Sequence, residues 1–276
     1  MSEFSVDAYA PKEIAARIEQ TAVVKSSGDP LRVFALAILA GAFIAFGAVF
    51  YTIVTYDADG IAAGLLRLLG GLAFSLGLIL VVVAGAELFT GNNLIVMAYV
   101  DGKVTFLQLM KNWTTVYIGN FIGAIGIAVL IYFSGHWLID SGAVGSKALA
   151  IANAKVNLSW IEAFTRGVLC NTLVCLAVWL CFAGRTVVDK VLAVIFPVAG
   201  FVAMGFEHSV ANMYFISAGL LAKNQPELSS ILATMDLEHL NTAGFIFNNL
   251  VPVTLGNIVG GSLFVGLFYW FIYLRD

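Results

Sequence analysis

Residues 191–222 read as apolar hydrocarbon-embedded chain except at their centre, where Gly205-Phe-Glu-His-Ser-Val-Ala-Asn-Met carries an acid, an imidazole and an amide. Ionisable groups at such depth are costly and line a cavity or a pathway. The first half holds an echo, Gly85-Ala-Glu-Leu-Phe-Thr-Gly-Asn-Asn, in which Gly85, Glu87 and Asn92 recur 120 positions later as Gly205, Glu207 and Asn212. The echo has no histidine, because Leu88 stands where the second copy has His208. After the first knot, residues 94–100 would rise only about 10 Å as helix, too little to cross a bilayer. The knot therefore belongs inside the membrane, between half-helices. Broken backbone is tolerated there only where it is buried in protein or lines a cavity.

Hydrophobic residues make up 61% of the chain and charged ones 11%, the latter about half the share of a soluble domain. The composition is that of an all-α integral membrane protein. Six spans are expected, over residues 33–56, 67–100, 112–133, 160–183, 191–222 and 242–274, with the second and fifth broken by the knots. Residues 134–159 and 223–241 read as polar loops. Residues 8–24 read as a short amphipathic helix with Pro11 in its first turn and Ile14, Ala15 and Ile18 on one face, lying on the membrane surface or beneath the bundle. The division is thus a cytoplasmic segment over 1–29 and a transport domain over 30–276. Residues 1–29 mix charges with no apolar core, unlike a secretory signal.

The two halves repeat beyond the knots. Phe34, Leu39 and Gly41 correspond to Phe164, Leu169 and Asn171, and Asn112 with Gly119-Asn120 corresponds to Asn249 with Gly256-Asn257. Three spans per repeat turn the second half upside down, the 3+3 inverted plan whose site lies at the repeat interface. With both termini cytoplasmic, nine of the 14 Lys and Arg residues fall inside, among them Lys12, Arg17, Lys25, Arg32 and Lys103, which fits the positive-inside bias.

Broken helices aim N–H groups and positive dipole ends inward, a setting for anions. Glu87 and Glu207 suit a different task, accepting hydrogen bonds from loop N–H groups to hold the breaks open. Asn92, Asn212, Asn120 and Asn257 fit similar bracing, with Asn257 also placed to face the path. His208 reads as functional, since a pure scaffold would not need the imidazole in one copy only. A net charge of −3 argues against nucleic acid. The three cysteines share one apolar helix and read as packing residues, and one histidine within a span makes a poor metal set, so no metal, cofactor or enzymatic constellation is expected.

The Gly205–Met213 stretch resembles the signature of the formate–nitrite transporter family. So do Glu87-Leu-Phe-Thr-Gly, Cys170-Asn-Thr-Leu-Val-Cys-Leu-Ala-Val-Trp and Val253-Thr-Leu-Gly-Asn-Ile-Val-Gly-Gly, and the resemblance covers roughly residues 30–275. It implies a homopentamer of aquaporin-like protomers in the inner membrane, each with its own pore. Phe74-Ser-Leu-Gly-Leu78 and Lys111-Asn-Trp look most like the family's bacterial formate channels. By that resemblance Leu78 and Leu88 form one apolar constriction and Phe201 belongs to the other, with Phe74 and Phe89 completing the lining. Thr90 sits on a mobile loop and reaches toward His208, Lys155 is a vestibule lysine, and Asn171 and Asn257 are polar residues beside the pore. Gly91 and Asn92 after Thr90 are closer to the nitrite branch, so the ion stays open between formate and nitrite, hydrosulfide, acetate or lactate.

A neutral-solute channel of the aquaporin kind shares the three-plus-three plan but expects Asn-Pro-Ala at each break and an arginine filter. Neither break contains proline. The favoured expectation is therefore a channel for small monovalent weak-acid anions, formate first, with pH dependence and proton linkage through His208.

Overall fold

The computed structural model describes residues 7–275, and among these it is all-helical. In chain order come α1 (Pro11–Ser26), α2 (Pro30–Thr55) and α3 (Ala63–Gly85), whose last turn, Val81–Gly85, is a π turn. Short helical turns fill residues 89–100, followed by α4 (Phe106–Phe133), α5 (Ile139–Val156), α6 (Trp160–Ala183) and α7 (Val187–Ala203). The chain ends with α8 (Ser209–Ala222) and α9 (Gly244–Tyr273). Among the described residues, five helices are long and apolar enough to cross a membrane, namely α2, α3, α4, α6 and α9, and α8 is a shorter apolar helix. The expected amphipathic segment is α1, while residues 1–6 and Asp276 of the two expected domains lie outside the described residues.

Starts are set by side-chain caps. Asp29 accepts the Arg32 N–H at the head of α2, with Pro30 in the first turn. Ser159 accepts the Glu162 N–H at the head of α6, and Glu162 reaches back to the Ser159 N–H to complete a capping box. Asp29 and Ser159 are 130 positions apart, the same offset that relates Phe34 to Phe164.

One expected loop is largely helical. Residues 134–159 were expected to be polar coil, yet α5 occupies most of them and packs on α8. Its small residues explain this: Ala152 lies so close to Gly219 of α8 that a Cβ there would be 2.2 Å from the alanine methyl. Polar residues lower the segment's hydropathy without breaking its helical face.

α2 packs on α3 and α4, α6 on α7 and α9, α3 on α7, and α8 on α4 as well as α5. The α1 helix is tied beneath this bundle by Lys103, which donates to Glu19 at 2.6 Å and pairs with Asp101 at 2.9 Å. Burial pushes the Glu19 carboxyl above its ordinary range against the pull of Lys103. Lys103 and the Trp270 indole N–H hold Asp101 down at about 2.

Close approach of backbones is clearest at Gly123, where α4 crosses α2. A Cβ on Gly123 would lie 2.0 Å from the Ile38 carbonyl oxygen, and one on Gly260 2.1 Å from that of Val168. Alanine would add about 1 kcal/mol of helix propensity, but forcing two backbones apart costs typically 1–3 kcal/mol. Gly123→Ala is therefore expected to lower the thermal unfolding midpoint of the detergent-solubilised protein. A midpoint equal to or above the parent's would refute this account of the contact.

Candidate functional site

At each knot the helix stops on a glycine in the left-handed region, Gly85 at φ 83° and Gly205 at φ 73°, a conformation that side chains resist. Ala86 N–H then bonds the Val81 carbonyl and Phe206 N–H the Phe201 carbonyl, each at 3.0 Å. Residues 86–88 and 206–208 are non-helical, and helix resumes at Phe89 and Ser209.

Two asparagines satisfy the backbone these breaks expose. Asn120 Oδ1 accepts the Phe89 N–H at 2.9 Å, and its Nδ2 donates to the Ala37 and Glu87 carbonyls at 2.7 and 2.9 Å. Asn257 Oδ1 accepts the Ser209 N–H at 2.9 Å, and its Nδ2 donates to the Gly167 and Glu207 carbonyls at 2.8 and 3.0 Å. Glu87 N–H bonds the Leu36 carbonyl and Glu207 N–H the Arg166 carbonyl. Every partner in one set maps onto the other at the offsets already seen in sequence.

The carboxylates brace by a different route from the one expected. The loop N–H groups go to the asparagines and to carbonyls, leaving Glu87 to accept from Lys25 Nζ at 3.0 Å and Asn92 Nδ2 at 2.7 Å. Glu207 accepts from Lys155 Nζ at 2.9 Å and Asn212 Nδ2 at 2.6 Å. Asn92 and Asn212 also donate to Asn112 Oδ1 and Asn249 Oδ1 at 2.9 and 2.7 Å, and those asparagines donate in turn to the Lys25 and Lys155 carbonyls. The copies differ in two bonds: Asn92 Oδ1 accepts from Lys25 Nζ, whereas Asn212 Oδ1 has no hydrogen-bond partner among the described residues, and Asn249 Nδ2 reaches Glu207 at 3.3 Å with no counterpart from Asn112 to Glu87.

His208, buried at the head of α8, closes the second break. Its Nδ1 accepts the Ala211 N–H at 3.1 Å, so the neutral ring carries its proton on Nε2, 2.9 Å from Thr90 Oγ1. With Nε2–H donating to Oγ1, the threonine hydroxyl hydrogen is free for an incoming acceptor. A second ring proton, on Nδ1, would face the Ala211 N–H.

Two cavities flank this pair. One, of about 640 Å³, is lined by Lys25, Glu87, Leu78 and Leu88, among others. The other, of about 100 Å³, is lined by Lys155, Glu207, Phe74, Phe201 and His208, among others. Leu78, Leu88, Phe74 and Phe201 are all buried. The Phe201 ring lies face to face with the imidazole at 6.1 Å and edge-on to Phe74 at 6.0 Å.

Three resemblance-based positions fall elsewhere. Phe89 lines neither cavity and packs edge-on against Tyr117 and Trp113. Asn171 donates to the Thr90 carbonyl, the Asn93 side chain and the Asn257 carbonyl, and the polar contacts of Asn257 all run to main chain. Both hold the half-helices in place. The sequence reading missed Lys25 as a site residue and counted it only toward surface charge. Its signal was there, since Lys25 and Lys155 stand 130 positions apart.

Removing either backbone-directed asparagine strands two main-chain groups at its break, the Phe89 N–H and Glu87 carbonyl or the Ser209 N–H and Glu207 carbonyl, at about 1–3 kcal/mol for each group left unpaired. Asn120→Ala and Asn257→Ala are thus expected to lose most of their folded yield or to unfold at clearly lower temperature than the parent. Parent-like unfolding curves for both would remove the bracing role.

Comparison with known proteins identifies the family of the chain. The family model described as formate/nitrite transporter matches residues 12–271. The chain is 45% identical over 274 residues to the formate channel FocA of Escherichia coli K12, covering 98% of this chain and 96% of that one. It is 44% identical over 265 residues to the formate channel FocA of Haemophilus influenzae, covering 95% and 93%. A solved structure titled pentameric formate channel with formate bound superposes with a TM-score of 0.83 at 46% identity, covering 89% of this chain and 98% of that one. An FNT family ion channel gives 0.81 at 27% identity, covering 94% and 98%. The chain belongs to the formate/nitrite transporter family of membrane proteins.

Proposed function

We propose that this protein is a channel for formate in which the Thr90–His208 pair is the central gate and proton-linked contact. The observation that carries the reading is that pair, held at 2.9 Å and flanked by lysine-bearing cavities, one lined by Leu78 and Leu88 and the other by Phe74 and Phe201. The protomer is a six-span, 3+3 inverted repeat of aquaporin-like plan with its second and fifth spans broken. The near-complete correspondence of hydrogen bonds around the two knots supports it. Residues 1–29 form the cytoplasmic segment and 30–276 the transport domain, with both termini cytoplasmic in the inner membrane.

Lys25 and Lys155, each shared with its glutamate, place an ammonium donor at either mouth for an arriving anion. Leu78 and Leu88 narrow one side and Phe74 and Phe201 the other, which keeps bare hydrated ions out. A carboxylate crossing this stretch faces a desolvation cost of several kcal/mol. Protonating formate, with an acidity about that of an Asp side chain, costs roughly 4 kcal/mol at pH 7. The two are comparable, so a positioned donor decides the route. Once the ring has taken a second proton on Nδ1, giving up its bond to the Ala211 N–H, Nε2–H can pass a proton through Thr90 Oγ1 to formate and leave the ring neutral, and the imidazole is the group in the constriction whose ordinary titration range lies near physiological pH. Formate therefore passes as an acid sharing a proton with this pair, and flux rises as pH falls.

The reading is tested by radiolabelled formate uptake into proteoliposomes across roughly pH 5 to 8, the imidazole range. The parent is expected to show a pH-dependent profile, and His208→Asn to lose the proton-linked component while keeping its fold. Superimposable profiles would reduce His208 to a brace. Equal permeation of glycerol and formate would refute the anion reading.

Five protomers form the assembly, as in the solved relative whose title names a pentamer. Small residues such as Gly123 let helices pack closely within each copy. Native mass spectrometry in detergent is expected to show five copies, and a functional monomer would refute the pentamer.

A further inference from the structure

The two mouths share a scaffold but not a charge. The cavity on the α1 side is lined by three cations, Lys25, Arg32 and Lys190, against one carboxylate, Glu87. The opposite cavity is lined by Lys155 against Glu207. Each knot lysine is matched by its own glutamate at about the same distance, so the surplus belongs to Arg32 and Lys190. Neither of these two takes part in an ion pair among the described residues.

Both are also places where the repeat is broken. The offset that carries Lys25 to Lys155 carries Arg32 to Glu162, whose carboxylate is taken up by the Ser159 cap and by Arg166 at 3.7 Å. The offset that carries Glu87 to Glu207 carries Gly70 to Lys190. In a fold that keeps most bonds of its knots in register, the charge difference between the mouths comes from these departures.

We propose that Arg32 and Lys190 make the α1-side cavity the higher-affinity capture site for small monovalent carboxylates, a property the Lys155 side lacks. This rests on the reading of the chain as an anion channel. A cleft lined by one sign of charge concentrates the opposite ion at its base. A passive pore cannot favour one direction at equilibrium, so the ratio of maximal rate to half-saturating concentration is the same from either side. What differs is saturation. The α1 side fills at lower formate concentration, with a correspondingly lower maximal rate.

The test is zero-trans formate flux into and out of proteoliposomes, with orientation read from access of an impermeant protease to an N-terminal tag. At about 10 mM ionic strength, where the screening length is about 30 Å, the half-saturating concentration is expected to be about three- to tenfold lower from the α1 side. At about 1 M salt, with screening over about 3 Å, the difference should vanish. Arg32→Gln combined with Lys190→Gln should abolish it at low salt by raising the α1-side value alone.

Equal half-saturating concentrations from the two sides at low salt overturn the proposal, as does a difference that survives both high salt and the double variant. The parent measured at two salt concentrations decides the matter even if the double variant is poorly folded. Absence of saturable formate flux from both sides is a separate result, which overturns the channel reading itself.

Discussion

The structure depends on a triad of a half-buried lysine with a buried glutamate and asparagine, made twice. A carboxylate placed within an apolar bundle is untenable alone, and so is an interrupted helix with free N–H and C=O groups. Each solves the other's problem here. Glu87 and Glu207 draw in Lys25 and Lys155, and the lysine-bearing segments bring carbonyls that take up Asn112 and Asn249. Asn92 and Asn212 then tie the carboxylates to the resumed helices, while Asn120 and Asn257 satisfy the broken strands of backbone. Without the ion pair the carboxylate would have to be neutral or absent, and the half-helix would lose its anchor.

Much of this was legible in sequence because repetition acts as an internal ruler. The offset between Glu87 and Glu207 exposed both knots, and the substitution of Leu88 for histidine marked His208 as more than scaffold. Asn120 and Asn257 emerged as braces for the same reason. What the sequence could not convey was which donor meets which acceptor. Lys25 lies on an amphipathic helix outside the spans, where a lysine ordinarily means a solvated face. Only folding brings it 3.0 Å from Glu87. The helix α5 was missed because its polar residues mask small ones that let it pack against α8. Resemblance placed Phe89, Asn171 and Asn257 beside the pore, but their contacts with α4 and with main chain depend on how the half-helices tilt, which no spacing encodes.

The imidazole has two jobs through its two nitrogens. Nδ1 caps α8 and Nε2 meets Thr90. The cap fixes the tautomer, and the tautomer fixes which way the hydrogens of the Thr90–His208 pair point. Chemistry at the ring is thereby tied to the first turn of a buried helix. Thr90 links the pair in turn to the opposite half of the molecule, since Asn171 and the Cys175 thiol both donate to its carbonyl.

The side chains of Asn120 and Asn257 address only main-chain atoms, and this has an evolutionary consequence. A brace that recognises carbonyls and N–H groups is indifferent to the side chains those residues carry. The residue at each break can change identity without loss of these asparagine bonds. Leucine in one copy and histidine in the other is the kind of divergence such a framework permits. A related chain could exchange its central side chain while the surrounding architecture is inherited intact.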